Sequence, residues 1–598
     1  MKTFLKTTLA SMLGFLLAGI LFLIILVVGI ASSANFGEKD KPAVREKSVL
    51  KIEFNYSIPD KASNNPFDGF NFMSMSSSKQ LGLNSILKSI EKAKTDDKIK
   101  GIYLDLAGIS ANFGSMATLE EIRNKLIEFK KTKKFIYAYS NFGYSQKTYY
   151  LASISDKIYL NPEGSLMWSG MGGEMVFYTN ALKKLGISPQ IVRHGKYKAA
   201  VEPYMLTKMS KANKEQTMKY VGGLWNHMLK GISKYRKLSV DRLNELADNF
   251  DLRDGVDLVK TKMIDGALYE DQMLDKLRKL TDIKEDKKIR FISLMDYSKT
   301  LSKVETTVKD KIAVVYATGE IGMKQSSKSI GPDLANTIRK IRKDDDIKAV
   351  VLRVNSPGGS ALTSEIIWRE VCLLKAKKPL IVSMGNVAAS GGYYISCAAD
   401  AIVASPTTIT GSIGIFGLFF SGEKLIKEKI GLTTDSFGTN KHSNFGGGQP
   451  LPLPLTSRGL NSYEKQVMQK MIEKGYHGFI SKVAKGRKMS LKSIDAIGQG
   501  RVWTGVDAKK IGLVDVLGGL ETAIDLAKKK AKLEDYKLEN YPKEEDTIQE
   551  LIKSFTTEMR AKYLAKELGV SYLYYQQIKD VLRSEGLQAR IPYNLELH

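Results

Sequence analysis

The chain has 598 residues, of which 43% are hydrophobic and 26% charged; this length predicts roughly three to four domain-sized units, and the composition excludes wholesale disorder. Its formal charge of +27, from 91 basic and 64 acidic residues spread along the whole chain, comes without a basic helix, zinc-ligand set or aromatic-basic repeat. That argues against nucleic-acid binding and leaves a lysine-rich surface near anionic lipid, or lysine used for solubility. Only Cys372 and Cys397 occur, each in an apolar stretch (EVCLLK and YISCAADAIV), so two buried free thiols are expected, with no disulfide and no metal site.

Taken from its start, the chain shows Lys2 and Lys6 and then no charge until Glu38. Residues 8–30 are mostly apolar, long enough to cross a bilayer with some tilt. An apolar region of a cleaved signal peptide is shorter, about 7–15 residues, although Ala-Ser-Ser-Ala at 31–34 resembles a cleavage site. The expectation is an uncleaved anchor behind a cytoplasmic tail (1–7), with the body on the far side of the membrane by the positive-inside rule. A polar linker, 31–47, follows.

The remainder contains one module twice. YYLASISDKIYLNP (149–162) lines up with YYISCAADAIVASP (393–406) at an offset of 244. KTDDKIKGIYLDL (94–106) resembles KDDDIKAVVLRVN (343–355), and KMIDGALY (262–269) resembles GLVDVLGG (512–519). The repeat is far longer than that of a solenoid, and places one copy at 48–300 and the other at 301–543. Within the second copy IKAVVLRV (347–354) reads as a buried strand, SPGG as a turn, ALTSEIIWREVCLLKAK (361–377) as an amphipathic helix and PLIVSMG (379–385) as the next strand. Alternating strands and helices predict an α/β fold with largely parallel strands. The junction between copies falls near 297–310, and residues 544–598 read as a charged, helical extension.

Ser390 lies in NVAASGGYYIS, where small neighbours allow a tight turn and leave a hydroxyl accessible, and Gly391 offers an unobstructed N–H. The run 388–392 approximates a nucleophile elbow with Ala in the first glycine position. The segment VNSPGGSA (354–361) places Gly358 and Gly359 at a strand-to-helix turn suited to an oxyanion. Taken singly, each is equally a turn without a ligand. Of five histidines, His194, His227, His442, His477 and His598, none sits in a pattern that suggests a triad.

A lysine can replace histidine as base if it is neutral. Lys198 lies among small and apolar residues in GKYKAAVEPY. A free lysine is neutral in only about one molecule in 2,500 at pH 7, so this role requires desolvation or nearby positive charge. The duplication separates Lys198 from other lysines. Ser390 aligns with Gln146 and Lys198 with about Ser443, so each copy carries one half of a possible dyad, and one composite site per chain follows.

With GKYKAAVEP, VNSPGGS, AASGGYY, TGSIGIFG (410–417) and GRVWTGVDAKKIGLVD (500–515) in this order, residues 1–540 resemble the signal peptide peptidase A (protease IV) family in its long two-repeat form. The resemblance implies tandem Clp-protease/crotonase-like domains and a Ser390/Lys198 dyad. It further implies Ser412 orienting the lysine, and an oxyanion hole from Gly358, Gly359 and Gly391 with one glycine of the pair unassigned. No metal or cofactor is implied. A homotetramer on the bacterial inner membrane, its catalytic body on the periplasmic side, would degrade cleaved signal peptides and similar apolar peptides. Two other classes remain open from the residues: a crotonase-type acyl-CoA enzyme, disfavoured by an envelope location without CoA, and an inactive scaffold binding peptide or lipid.

Overall fold

The structure, a computed structural model, describes residues 42–543 except 62–69, 72–75, 78–79, 108–113, 251–253, 302–307, 325–328 and 452, together with most of 3–21 and the strand Gly586–Arg590. The expected span at 8–30 and the expected junction at 297–310 therefore lie partly outside the described residues. Among the described residues no helix is long and apolar enough to cross a membrane.

The duplication is visible strand by strand. In the first half a parallel sheet runs in the order Gly266–Ala267, Lys157–Leu160, Phe135–Ser140, Ile99–Asp105, Ser48–Glu53, Phe291–Ser293. In the second half Val516–Leu517, Ala401–Ala404, Leu380–Ala389, Ile347–Ser356, Lys311–Thr318 and Lys537–Tyr541 repeat that order, again all parallel. These strands are apolar runs because helices cover the sheet. In Ile347–Ser356, Ala349 to Val354 are all buried. The covering helices carry their apolar residues on one stripe, as in Asp333–Lys343, where Leu334, Ala335, Ile338 and Ile341 are buried.

Polar contacts repeat as well. Tyr149 donates its hydroxyl to the Met263 carbonyl at 2.6 Å, and Tyr393 to the Leu513 carbonyl at 2.9 Å. Arg236 holds Asp265, which accepts from the Ile158 N–H, while Arg487 holds Asp515, which accepts from the Ile402 N–H. Matching bonds at matching positions are what a duplicated domain retains, since losing one partner leaves the other unpaired.

The halves are joined by a buried ion network. Arg353, fully buried on Ile347–Ser356, donates to Asp60 at 2.6 Å and Glu121 at 2.7 Å, both from the first half, and to the Ser383 hydroxyl at 2.9 Å. Asn355 also reaches Asp60, at 2.8 Å. The other Glu121 oxygen accepts the Leu520 N–H at 2.8 Å, placing a carboxylate at the start of the helix Leu520–Ala531, where the helix dipole favours it. A Cβ on Gly519 would lie 2.2 Å from that carboxylate, so a side chain there would push Glu121 out of its place.

A third, mixed sheet spans both halves in the order Ser329–Ile330, Glu320–Ile321, Gly358–Ser360, Gly586–Arg590, Phe416–Ser421, Ser188–Arg193. Its last strand comes from the first half and pairs antiparallel with Phe416–Ser421 over six residues. Two expectations change here. Residues 358–360 form a short strand rather than a turn, because Gly359 pairs with Ile321. Residues 586–590, expected to be helical, form a strand because two open strand edges flank them.

Candidate active site

The second-half strand Leu380–Ala389 is longer than its counterpart, and its end, Val387 to Ala389, pairs with Ile409–Gly411 before the chain turns into the helix Gly391–Ser396. Ser390 occupies this turn with φ 54 and ψ −114, a conformation costly for a residue with a Cβ and held only where surroundings over-determine it. Here the Ser390 N–H donates to the Gly411 carbonyl at 2.8 Å, and its carbonyl accepts the Tyr394 N–H at 2.8 Å. Gly392 is pressed against the chain, since a Cβ there would sit 2.6 Å from the Ser356 carbonyl oxygen.

Lys198 arrives from the other half. The strand Ser188–Arg193 delivers the loop 194–198, which lies against residues 499–502: the Tyr197 N–H donates to the Gln499 carbonyl at 3.1 Å. Buried Gln216 bridges the two, donating to the Tyr197 carbonyl at 2.9 Å and accepting the Val502 N–H at 3.3 Å. Gly500 is packed so closely that a Cβ would come within 2.6 Å of the Lys198 Cα.

The structure brings Lys198, Ser390 and Ser412 together. Lys198 Nζ lies 2.8 Å from Ser390 Oγ, 3.0 Å from Ser412 Oγ and 3.2 Å from the Ser412 carbonyl oxygen. All three residues are 0% exposed. Burial, by desolvating the ammonium form, holds the Lys198 amine well below the usual lysine range, and among the described residues no carboxylate hydrogen-bonds it. Ser412 also has positive φ, 50°, with its N–H held by the Arg501 carbonyl at 2.7 Å. A buried amine whose pKa burial lowers, set beside a serine hydroxyl, is an arrangement suited to acyl transfer by a serine nucleophile.

Of the three glycines, Gly391 follows Ser390 directly, and Gly358 and Gly359 follow Ser356, which packs against the helix Gly391–Ser396. Gly391 is the first residue of its helix, where opening N–H groups find no acceptor within the helix. Gly358, with φ 97, donates its N–H to the Ser356 hydroxyl at 3.2 Å. Gly359, with φ 149, lies so near Ile321 that a Cβ would be 2.1 Å from its carbonyl oxygen, so its place is a backbone requirement.

None of the described histidines shares the site. The His194 ring stacks on Tyr476, His442 on Tyr463, His227 faces Glu120 at 3.2 Å and His477 contacts Ser481; His598 lies outside the described residues. Neither cysteine is a nucleophile candidate. Cys397 is buried and its thiol is pushed up to about 12, mainly by burial. Cys372 is only partly buried, because its helix face is not fully covered. Among the described residues no cluster of ligating side chains would hold a metal. Sequence reasoning missed Gln216 and Gly414, whose carbonyl lies 3.5 Å from Ser390 Oγ. Gln216 carries no local signal, whereas Gly414 stood inside the quoted TGSIGIFG.

The sequence profile described as peptidase family S49 matches residues 128–284 and 373–534. A Salmonella typhi protein named "Protease 4" is 36% identical over 559 residues, 90% of this chain and 87% of that one. An Arabidopsis thaliana protein named "Serine protease SPPA, chloroplastic" is 32% identical over 92% of this chain and 78% of its own. A shorter Enterococcus faecium protein named "Putative signal peptide peptidase SppA" is 35% identical over 37% of this chain and 62% of its own.

Proposed function

This chain belongs to peptidase family S49 and is a serine-type peptidase with two copies of the family domain in tandem, and from that premise we propose that Ser390 is its nucleophile and Lys198 its general base. The observation that carries the reading is the 2.8 Å approach of the Lys198 amine to the Ser390 hydroxyl, the two side chains coming from different halves and both withdrawn from water. Two N–H bonds of the neutral amine go to Ser412, through its hydroxyl and its carbonyl, which leaves the nitrogen lone pair toward Ser390. Ser412 thus acts as a positioning residue.

In the first step the amine takes the hydroxyl proton as Oγ bonds to the substrate carbonyl carbon. The oxyanion is met by the N–H groups of Gly391 and of the 358–359 segment, Gly358 turning its donor from the Ser356 hydroxyl to the substrate. The ammonium then protonates the departing amine as the peptide C–N bond breaks. Water, deprotonated by the same lysine, hydrolyses the ester and returns Ser390.

The substrate class we propose is apolar peptide at a membrane surface, cleaved signal peptides among them, handled by a homotetramer anchored in a bacterial inner membrane with its catalytic body on the periplasmic side. Support comes from the N-terminal helix, where Phe4, Met12, Leu13, Phe15, Leu17 and Leu21 are all exposed; apolar side chains in such a row call for lipid or another protein. The name carried by the Enterococcus faecium relative points the same way. The test is hydrolysis of a signal-peptide-like substrate by the full chain in detergent, alongside Ser390→Ala and Lys198→Ala with matching melting curves. Near-complete loss in both variants is expected, whereas full activity in Lys198→Ala would require a different base.

A further inference from the structure

In the first half, four chain segments meet around a cavity of about 560 Å³ whose lining includes neither Lys198 nor Ser390. Ser155 and Asp156 enter it beyond the helix Gln146–Ala152, Arg236 and Lys237 at the end of the helix Lys211–Arg236, and Lys262 beyond the helix Gly255–Lys260. Two of these residues carry polar atoms with no hydrogen-bond partner among the described residues, the Ser155 hydroxyl and Arg236 Nε. Both are withdrawn from solvent, Ser155 being 6% exposed and the Arg236 side chain 10%. An unpaired buried polar group is costly, and here two line one cavity.

The second half has the same corner without these features. The helices Lys211–Arg236 and Ser462–Arg487 are both 26 residues long, and each ends on the arginine that holds the matched aspartate, Asp265 or Asp515. Aligned on that match, Ala399 stands for Ser155, Gly486 for Tyr235 and Gly512 for Lys262. Arg487 has every nitrogen engaged, two on Asp515 and Nε on the Gly512 carbonyl at 3.0 Å. Gly486 packs so tightly that a Cβ would lie 2.1 Å from the Cys397 carbonyl oxygen, whereas Tyr235 lines the first-half cavity. Lys262 keeps the left-handed turn of Gly512, with φ 63 against 82, and adds an exposed ammonium beside the cavity. The first half thus sets unpaired donors around a space at positions where the second packs backbone and pairs its donors.

The carboxylates of the cavity already have donors. Asp265 accepts from Arg236, the Ile158 N–H and Lys157, and Asp156 from the Ile136 N–H and Lys130. What is left over is a guanidinium N–H, a hydroxyl and the ammoniums of Lys237 and Lys262, both exposed and without an ion pair among the described residues. Lys130, Arg236, Lys237 and Lys262 against the two aspartates leave the lining positive by two charges. The C-terminal dipoles of the long helices Met116–Lys130 and Lys211–Arg236, about half a charge each, offset about one of them. A ligand must therefore bring acceptors and negative charge.

We propose that this cavity is an anion site for a phosphate group borne by a small molecule or a lipid headgroup, with Ser155 and Arg236 at its base and Lys237 and Lys262 at its mouth. A tetrahedral phosphate offers oxygens in several directions, which suits donors arriving from separate segments better than a planar carboxylate does. The cavity is much larger than a bare phosphate, and the group that carries it lies against the Tyr235 ring and the side chains of Val259 and Ile264. The site stands apart from the peptidase chemistry and does not rest on it.

The test is equilibrium dialysis of radiolabelled inorganic phosphate against the full chain in detergent, beside two variants. Ser155→Ala combined with Lys262→Gly writes the second-half residues into the first half. It removes a hydroxyl that pairs with nothing among the described residues and puts glycine at a left-handed turn, so melting without phosphate should not fall below that of the parent. Lys532→Gly, at an exposed lysine with φ 55 in the second half, removes the same charge elsewhere. Saturable phosphate binding is expected in the parent and in Lys532→Gly, weaker by about tenfold or more in the double variant, the value of one lost charge-assisted hydrogen bond. No saturable binding in the parent, or equal affinity in all three chains, overturns the proposal. Competition then identifies the carrier, with glycerol phosphate and dioctanoyl phosphatidic acid presenting the same phosphate. Displacement by phosphatidic acid at much lower concentration assigns a lipid headgroup, equal displacement by the two assigns a soluble phosphate, and failure of both to displace overturns a site for a carried phosphate.

Discussion

At the same point in the two halves, a chain leaves a strand and enters a short helix, yet it does so in two ways. In the first half Ser145 opens the helix Gln146–Ala152 with ordinary extended dihedrals and a capping box with Thr148. In the second half the turn is Ser390, held at positive φ. The first-half position aligned with Ser390 is Gln146, whose buried amide accepts the Ser169 and Gly170 N–H groups at 3.2 and 2.9 Å and donates to the Gly170 carbonyl at 2.9 Å. Gly170 corresponds to Gly414. The side chain in the first half thus ties together the same loop that, in the second, lies against the Ser390 hydroxyl. Conversely, Ser443, aligned with Lys198, is exposed in a turn where its hydroxyl accepts the Asn440 N–H. One copy spends its polar group on satisfied backbone bonds; the other accepts backbone strain and a buried amine. A site made this way tolerates little loss, because each half supplies a component the other lacks.

Removing those components is the strongest way to test the contrast. Ser390→Ala or Lys198→Met should lower kcat/KM by a factor on the order of 10^4 with no loss of folding, measured on an apolar peptide. Arg353→Met should act on the joint between the halves: it leaves Asp60 and Glu121 buried without their partner and should cost about 3–5 kcal/mol, seen as a lower denaturant midpoint. Gln146→Ala is the mirror experiment. It should cost about 1–3 kcal/mol of stability through three orphaned backbone groups and leave kcat per folded molecule unchanged; a large fall in kcat would mean the halves are not functionally separate.

Ser412→Ala should lower kcat about tenfold, the value of one hydrogen bond near 1.4 kcal/mol, and move the acidic limb of the pH profile, which a merely structural role would not. The smallest effect is on stability against pH. Burial lowers the Lys198 pKa in the native state, so between that value and the ordinary lysine value of about 10.4 the unfolded chain binds a proton the native chain lacks. Native stability from this group therefore rises with pH across that window and its cost is fullest below it. Lys198→Met should be more stable than the parent at pH 7, and the gap should narrow at pH 10 in paired denaturant titrations. The same lowering places the active, neutral amine on the alkaline side, so hydrolysis should fall as pH drops through the native pKa.

Much of this was legible in the residues. Buried strands such as Ile347–Ser356 read as apolar runs, and the helix Ala361–Lys375 read as amphipathic to within two residues of its end. The repeat was legible because its tyrosines and aspartates stand at nearly constant offsets. Ser390 and Lys198 stood out only because the duplication left each unmatched. Less legible were Asp60, Glu121 and Gln216, each one ordinary polar residue among many, whose importance comes from a partner 293, 232 or 286 positions away. The strand at 586–590 was read as helix because five residues, GLQAR, have no period of their own; its form is set by the two strand edges it meets.

By itself, then, the sequence determined the α/β class, the duplication and the identity of two chemically unmatched residues, because periodicity, turn chemistry and repeat offsets are local properties of the chain. Only the tertiary structure decided that the amine and the hydroxyl stand 2.8 Å apart and dry, and that the halves share a buried Arg353 network. It alone placed the chain's own distal strand beside Gly358 and Gly359. Those outcomes depend on desolvation and on backbone edges meeting across large separations in sequence, and neither quantity exists until the chain is folded.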